Sequence, residues 1–248
     1  MYITTTGLIL RETEYKESSK ILTVLTPKNG KITVSAKGVR RRGSKLAAAT
    51  QFLSYAEMTL FCNRNRWTLT EARPIALFEG LREDVELLAL GAYFAELLEV
   101  LSDAETAVPE MLSLGLNGLY ALSESLRPAM LVKAAFELRL VSMAGFAPLL
   151  DGCAGCGAAD INSAYLDLSG GVIYCENCVS KGTGKCLPLR RGALSAARHI
   201  AEADVRRVFS FSLGEEALKQ LADACEAYAV HQLDNEYGSL SYYKRIKS

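Results

Sequence analysis

The sequence predicts an α+β, multidomain fold. It consists of an N-terminal five-stranded barrel and an all-α helical domain, into which a small four-cysteine module is inserted. Three observations predict this. Apolar and polar residues alternate over roughly the first 75 residues, apolar residues then recur at helical spacing, and two Cys-x2-Cys pairs interrupt the helical pattern. The predicted boundaries are residues 1–78 for the barrel, 79–240 for the helical domain, 150–182 for the inserted module and 241–248 for a basic tail.

Period-two patterning defines the predicted barrel. The clearest strand is Lys31–Lys37, in which apolar residues face one way and polar residues the other. Pro27-Lys28-Asn29-Gly30, just before it, is typical of a tight turn. The other predicted strands are 7–10, 21–26, 55–61 and 66–70. A five-stranded barrel of this size, with one face wet, is commonly an OB-fold, whose outer face and loops often hold single-stranded nucleic acid.

Charge is segregated along the chain although its formal net value is zero. Residues 1–80 hold 13 Lys and Arg against 6 Asp and Glu, a net of +7, whereas residues 81–152 hold 4 against 11, a net of −7. A basic segment of this kind indicates a polyanion partner. The acidic segment is expected to face away from DNA or toward a basic protein surface.

A basic cluster lies between the third and fourth predicted strands. Its cations are Lys37, Arg40, Arg41, Arg42 and Lys45. Such cations repel one another unless they are solvated or matched by phosphates, and the planar guanidinium suits phosphate oxygens. On the next hairpin, Arg64, Arg66 and Trp67 add two charges and a stacking surface for a base. The alternatives are a solvated, mobile loop and a tryptophan that belongs to the core.

The helical domain is predicted from apolar stripes at spacings of three and four residues. Acidic residues suit the start of a first helix near residue 81, while Pro109 and Pro128 mark the starts of two more. Gly145 is placed to end the third. Two further helices are predicted at 192–203 and 215–237. These stripes are interpreted as core.

Four cysteines dominate the inserted module: Cys153, Cys156, Cys175 and Cys178. The 18 residues between the two pairs allow a hairpin that turns at Gly170-Gly171 and brings the second pair back to the first. This spacing is typical of a zinc site rather than of disulfides or unligated thiols. Four thiolates close a tetrahedral site, so one structural zinc ion per chain is expected.

No catalytic set is recognisable in the sequence. His199 and His231 lie near no nucleophile signature, and no Walker phosphate-binding loop is present. The chain is therefore predicted not to be an enzyme, with no catalytic residues. It shows neither a secretory signal nor an apolar run of membrane-spanning length, so a cytoplasmic, reducing setting without membrane association is expected.

Several blocks of sequence carry a resemblance to a known family. They are Gly7-Leu8-Ile9-Leu10-Arg11, Glu17-Ser18-Ser19-Lys20-Ile21-Leu22, Gly30-Lys31-Ile32, Ala36-Lys37-Gly38-Val39-Arg40-Arg41, Ala144-Gly145-Phe146-Ala147-Pro148 and the two cysteine pairs. In this order, over residues 1–180, they resemble the RecO family of bacterial recombination mediators. One departure is Gln51-Phe52, where the family often has Gln-Pro-Phe.

The resemblance implies binding to single- and double-stranded DNA and annealing of complementary strands. It also implies partnership with RecR and with the C-terminal tail of single-strand-binding protein, so that RecA, an indirect partner, loads on gapped DNA. Association with the nucleoid follows from these roles. An alternative from the residues alone is a zinc-ribbon scaffold that binds other proteins without touching DNA. An enzyme acting on nucleic acid is the third hypothesis, but it lacks a nucleophile, a general base and an open metal position.

Overall fold

The computed structural model describes residues 1–64, 66–104, 106–159 and 161–247. It divides into two compact units, one made of Met1–Glu124 with Tyr237–Ser248 and the other of Ser125–Glu236. The first unit thus holds the barrel, the helices that follow it and the final helix, and the second holds the cysteine module. This division differs from the domain boundaries expected from the sequence, at 1–78, 79–240, 150–182 and 241–248, which remain a prediction.

The barrel predicted from the sequence is confirmed as a closed, five-stranded one with the strand order β1-β2-β3-β5-β4. Its strands are β1 (Tyr2–Tyr15), β2 (Ser19–Thr26), β3 (Gly30–Ala36), β4 (Tyr55–Asn63) and β5 (Arg66–Ala76). The longest, β1, pairs with β4 through residues 2–8 and with β2 through residues 8–15. An irregularity between Ile9 and Arg11 marks the point where it passes from one partner to the other.

One parallel pairing closes the barrel. Val34 and Ser35 of β3 lie opposite Trp67 and Thr68 of β5. The interior is filled by alternate side chains of all five strands, and residues such as Leu22, Val34, Met58 and Leu60 have no exposed surface. The alternation seen in the sequence thus separates a packed interior from a wet outer face.

Four helices complete the first unit: α1 (Gly80–Glu83), α2 (Val85–Leu101), α3 (Pro109–Ser123) and α7 (Gly238–Lys247). Asp84 caps α2 by accepting from the backbone N–H groups of Glu86 and Leu87, and Pro109 is the first residue of α3, as predicted. The basic tail expected at 241–248 is, as far as residue 247, part of α7. Its first turn donates the backbone N–H of Ser239 to Glu96, and the adjoining Tyr237 ring packs edge-on against Tyr93.

The second unit combines three helices with a four-stranded sheet. The helices are α4 (Ala129–Val141), α5 (Arg191–Glu202) and α6 (Glu215–Leu233), and the strands are β6 (Leu149–Cys153), β7 (Ser163–Asp167), β8 (Val172–Tyr174) and β9 (Cys186–Arg190). The sheet order is β6-β8-β7-β9. The predicted hairpin with its turn at Gly170-Gly171 is β7–β8. Gly145 adopts a φ of +95° where α4 and a following π turn end.

A buried ion-pair network joins α4 to α6. The ammonium of Lys133 lies 2.7 Å from Glu137 Oε1 and 2.8 Å from Glu226 Oε2, and the Glu137 side chain has no exposed surface. Burial acts to lower the pKa of Lys133, but the two carboxylates outweigh it, so the pKa lies above its usual value. A raised folded-state pKa means that this charge stabilises the fold at all pH values below the ordinary lysine pKa. That contribution is lost only as the pH rises through the raised value.

Lys133→Ala is therefore expected to be strongly destabilising. It leaves the buried carboxylate of Glu137 without the ammonium that offsets its desolvation, a loss that typically costs about 3–5 kcal/mol. Denaturant unfolding at pH 7 measures the change in the free energy of unfolding.

Arg190→Ala provides the control. The Arg190–Glu216 pair is similar in length, 2.8 Å, but 69% and 76% of its two side chains are exposed. Its loss should cost at most about 1 kcal/mol. Equal effects of the two substitutions would contradict the role given to the buried network.

Candidate metal centre and nucleic-acid interface

Two chain turns bring the four cysteines together. Cys153 ends β6 and Cys156 lies in the turn after it, while Cys175 and Cys178 follow β8. Because β6 and β8 are parallel neighbours, with Cys153 opposite Ile173, their ends place both turns at the same edge of the sheet. All four Sγ atoms lie within 4.8 Å of one another, with Cys153 and Cys178 buried and Cys156 exposed. The spacing in the sequence thus predicted a real cluster.

Glycine makes the close approach of the two turns possible. A Cβ at Gly155 would lie 2.7 Å from the Cβ of Cys178 and 3.0 Å from its sulfur. Gly157 has a φ of +75°, a conformation that favours glycine, and its N–H donates to the carbonyl of Cys153 at 2.8 Å. The second turn is closed by a similar bond of 2.9 Å from the N–H of Cys178 to the carbonyl of Cys175.

The sulfur positions fit a tetrahedral metal ion. Cys156 Sγ and Cys175 Sγ are 3.9 Å apart. Zinc–sulfur bonds of about 2.3 Å in a tetrahedron separate neighbouring sulfurs by about 3.8 Å. The four residues are free thiols rather than disulfides. Within the described part of the chain, this is the one group of three or more Cys, His, Asp or Glu residues that could hold a metal ion.

The electrostatics of the cluster favour a cation. The backbone N–H of Cys175, 3.2 Å from the sulfur of Cys153, and that of Gly155 together lower the pKa of Cys153 to about 6. By contrast, the pKa of Cys178 is raised to about 12, mainly by a hydrogen bond with the Cys175 thiol and secondly by burial. One sulfur therefore ionises easily because backbone N–H groups stabilise its thiolate, while its neighbour resists because a hydrogen bond and burial favour its thiol and the nearby Cys153 thiolate repels a second charge. A thiophilic divalent cation removes that conflict and allows all four sulfurs to bind as thiolates.

The basic cluster forms an exposed loop with a buried anchor. Lys37, Arg40, Arg41, Arg42 and Lys45 are all exposed, whereas Val39 between them lies in the barrel core with 2% of its surface exposed. Backbone hydrogen bonds hold the loop: the N–H of Arg40 donates to the carbonyl of Ser18 at 3.0 Å, and that of Ser44 to Arg41 at 3.0 Å. The loop is thus tied to the β1–β2 turn and directs its cations into solvent.

One cation of the loop already has an anionic partner. Arg40 lies 2.9 Å from Glu14 of β1, and 34% and 70% of the two side chains are exposed. An ion pair this exposed stabilises by no more than about 1 kcal/mol. A phosphate oxygen can therefore take the place of Glu14 at little cost.

The predicted residues of the β4–β5 hairpin divide into two kinds. Arg64 and Arg66 are exposed, while Trp67 is half-buried and packs against the barrel core. Arg66 comes just before Trp67, and Trp67 lies opposite Val34 of the parallel strand β3. Lys37 is three residues beyond Val34, so Arg66 and Lys37 are about four strand positions apart, on the order of 13 Å along the strands. The core alternative for Trp67 therefore has a structural basis, and the role of all three residues in binding DNA stays a prediction.

An aromatic pair on the barrel was not predicted from the sequence. Tyr2 and Phe61 lie on neighbouring strands, with their ring centroids 4.9 Å apart. The outward alternation of 55–61 gives the face of Phe61, whereas the predicted strand 7–10 begins too late, although residues 2–6 are rich in strand-favouring Tyr, Ile and Thr. Their pairing therefore emerges only from the β1–β4 register.

Carboxylates of the acidic segment make contacts within the first unit. Glu99 pairs with Arg11 at 2.9 Å, and Glu96 accepts from the backbone N–H of Ser239 at 3.1 Å. These two residues therefore hold α2 against β1 and α7. The expectation that the acidic segment, Glu96 and Glu99 included, faces away from DNA or toward a basic protein surface remains a prediction.

The two histidines have simple partners. His199 Nε2 lies 3.3 Å from the carbonyl oxygen of Arg207, and His231 Nε2 lies 3.0 Å from the hydroxyl of Ser169. Neither belongs to the cysteine cluster. Among the helices of the described residues, none is both long enough and apolar enough to cross a membrane.

Comparison with known families matches nearly the whole chain. The model of the recombination protein O N-terminal domain matches residues 1–78, and that of its C-terminal domain matches residues 82–241. The first match covers the barrel, and the second covers most of the helices together with the cysteine cluster.

Curated relatives give the same result. A protein of Acetivibrio thermocellus named DNA repair protein RecO is 30% identical over 245 residues, which cover 99% of this chain and 97% of the relative. Proteins of the same name from Symbiobacterium thermophilum and Caldicellulosiruptor bescii are 30% identical over 246 residues and 35% identical over 176 residues. They cover 98% and 71% of this chain, and 96% and 72% of their own lengths. With its closed N-terminal barrel, its following helices and its cluster of four cysteines, the chain belongs to the RecO family.

Proposed function

We propose that this protein is a DNA-binding recombination mediator in DNA repair. It binds single- and double-stranded DNA, anneals complementary strands and helps RecA load on gapped DNA that is coated with single-strand-binding protein. The observation that carries the proposal is the loop on the barrel, where Lys37, Arg40, Arg41, Arg42 and Lys45 are exposed while Val39 anchors their backbone. The names of the relatives support a place in DNA repair.

The chemistry of the loop favours phosphates over base edges. An annealing factor must accept every sequence, and the phosphate backbone is the part that all sequences share. Guanidinium groups bind phosphate oxygens through paired N–H donors. Arg64 and Arg66 extend the cationic surface along the β4–β5 hairpin.

The four-cysteine cluster supports one structural zinc ion per chain. Cys153, Cys156, Cys175 and Cys178 supply all four ligands, which leaves no open position for a reacting water. The metal holds the two turns together and does no chemistry on DNA. The expectation that the protein is not an enzyme remains a prediction alongside this one.

The remaining partners are proposed from the family. They are RecR, the C-terminal tail of single-strand-binding protein and, indirectly, RecA, all at the nucleoid in the cytoplasm. A protein–protein scaffold built on the zinc module, without DNA contact, is the alternative function. Fluorescence anisotropy of a labelled oligonucleotide at several salt concentrations separates the two, because phosphate binding releases counterions and weakens steeply with salt. A scaffold would leave the anisotropy unchanged at every concentration.

Replacing Arg40, Arg41 and Arg42 by Ala should weaken DNA binding about equally for every sequence. The plot of log K against log salt should become shallower by about 0.9 for each duplex phosphate that the variant no longer neutralises. Exposed loop charges contribute little to stability, so the thermal midpoint should stay nearly constant. Anisotropy titrations with several unrelated sequences measure both effects.

A triple variant of equal charge is the matched control. Arg206, Arg207 and Lys219 are exposed cations of the other compact unit, and their replacement by Ala removes the same three charges. It should change DNA affinity much less than the loop variant. Identical losses of affinity for the two variants would mean that overall charge, rather than this loop, attracts DNA.

Cys153→Ser should lower both the zinc content and the thermal stability. Elemental analysis of protein purified without chelator should find one zinc ion per parent chain. Binding of a structural metal is linked to folding, so removing a ligand should lower the melting temperature.

Cys186→Ser is the control for this prediction, because Cys186 lies outside the cluster of four. It should keep the full zinc content. A parent protein that contains no metal, with a melting temperature unaffected by Cys153→Ser, would rule out the structural zinc.

A further inference from the structure

An aromatic pair lies on the outside of the barrel, next to the β4–β5 hairpin described above. Tyr2 of β1 is opposite Phe61 of β4, and their ring planes are inclined at 46°. Tyr2 is 65% exposed, whereas Leu60, next to Phe61 in the chain, is fully buried and faces inward. Single exposed aromatics are common on protein surfaces. Two in contact, held by strand pairing, form a prearranged apolar platform.

The strand register continues this platform toward the basic loop. Phe61 lies opposite Thr68 of β5, and Thr68 lies opposite Ser35 of β3. Thr68 adjoins the buried Leu69, and Ser35 adjoins the buried Val34, so both side chains face outward. The row formed by Tyr2, Phe61, Thr68 and Ser35 therefore runs across the outer face. With strands about 4.8 Å apart, the row is about 14 Å long. Ser35 is two residues before Lys37, where the basic loop begins.

Charges of both signs flank the aromatic end of the row. Arg66 lies opposite Asn63, two residues from Phe61 along β4, and is exposed. On the other side of Phe61, Glu71 is opposite Thr59, which is also two residues away along β4, and Glu57, farther along, is opposite Arg73. The four members of the row carry no charge themselves. The surface therefore combines ring faces, hydroxyl groups and flanking cations.

We propose that this row, formed by Tyr2, Phe61, Thr68 and Ser35, is a base-stacking track for single-stranded nucleic acid. It rests on the proposed DNA binding and adds to it a site that distinguishes single strands from duplexes. A base of a single strand stacks on the Tyr2–Phe61 platform, and its sugar-phosphate chain runs across Thr68 toward the basic loop. In a duplex the ring faces of the bases are already stacked on their neighbours, so a duplex uses the cations alone.

The charge pattern favours this occupant over a second copy of the chain. Exposed cations stand at both ends of the row, Arg66 near Phe61 and Lys37 near Ser35, so a chain of phosphates that follows the row meets a cation at each end. A polyanion with exposed apolar rings matches both features, because its phosphates pair with the cations while its bases cover the aromatic rings.

The test compares Tyr2→Ala with the parent on oligo-dT and on a duplex of the same length. Stacking of one base on an aromatic ring accounts for a drop of at least about fivefold in single-strand affinity. Duplex affinity should not change. The slope of log K against log salt should also stay constant, because removing an apolar ring releases no phosphate counterions. Tyr2→Phe should keep the parent affinity, since it retains the ring.

Two further variants test whether the effect is specific to the Tyr2–Phe61 platform. Tyr120→Ala removes an aromatic side chain that is 54% exposed on α3, and it should leave both affinities unchanged. Phe61→Leu keeps the apolar volume but removes the other ring, so it should reproduce part of the decrease in single-strand affinity. Trp67, the one tryptophan in the sequence, reports by its fluorescence whether the barrel of each variant is folded.

The outcomes are distinct. A parent that binds no DNA at all overturns the proposed function and the track together. A parent that binds DNA, with folded Tyr2→Ala and Phe61→Leu variants that bind single strands equally well, overturns the track alone. Equal decreases in affinity for single strands and duplexes also overturn it. So does a change confined to the sedimentation coefficient, which would identify the platform as an interface between copies.

Discussion

The short parallel pairing between β3 and β5 is the constraint on which the barrel depends. Two residue pairs, Val34 with Trp67 and Ser35 with Thr68, join the last strand of the β1-β2-β3 meander to the β4–β5 hairpin. Without this pairing, β3 and β5 would be open edges whose unpaired backbone groups invite aggregation. The same pairing fixes where the basic loop leaves the barrel, and it completes the outer row from Tyr2 to Ser35. Closure and the candidate DNA surface thus have a single structural origin.

The cysteine module combines buried apolar residues of its sheet with closely spaced ionisable groups. Its four sulfurs lie close enough to repel when ionised, and the zinc ion proposed above would offset that repulsion. In the same module, the Asp167 carboxylate is a negative group that is stabilised without a metal. Burial acts to raise the pKa of Asp167, but backbone N–H donors from Thr183, Gly170 and Ser169 outweigh this and lower it. Backbone donors thus satisfy the Asp167 carboxylate at one end of the small sheet, and the four cysteines cluster at the other.

Local patterns in the sequence predicted the elements whose structure is decided locally. The alternation of 31–37, the proline that starts α3 and the glycine turn of the β7–β8 hairpin all appear where expected. Long-range partners decided the rest. The docking of α7 depends on Glu96 and Tyr93, far away in the chain. β9 was missed because it contains Pro188, which is tolerated at the sheet edge that β9 forms.

The candidate sites likewise divide into those that a local sequence pattern reveals and those that depend on residues far apart in the chain. The four cysteines were found because two ligands come from each tight turn, and the spacing alone reveals them. The Tyr2–Phe61 platform was not found, because cross-strand neighbours so distant in sequence leave no local trace. Lys133 was hidden for a related reason: one lysine among the apolar residues of α4 suggests a polar edge, whereas two glutamates, one of them on α6, allow it to be buried.

The exposed ion pair between Arg40 and Glu14 bears on how the proposed DNA contact is made and broken. In the free protein, Glu14 holds this guanidinium in place, so less of its conformational entropy remains to be lost when a phosphate replaces the carboxylate. The exchange substitutes one anion for another at a solvated surface, and its net free energy is accordingly small. Affinity then arises from several such ion pairs together rather than from any one. A strand held in this way can be released one phosphate at a time, which would suit the strand annealing proposed above.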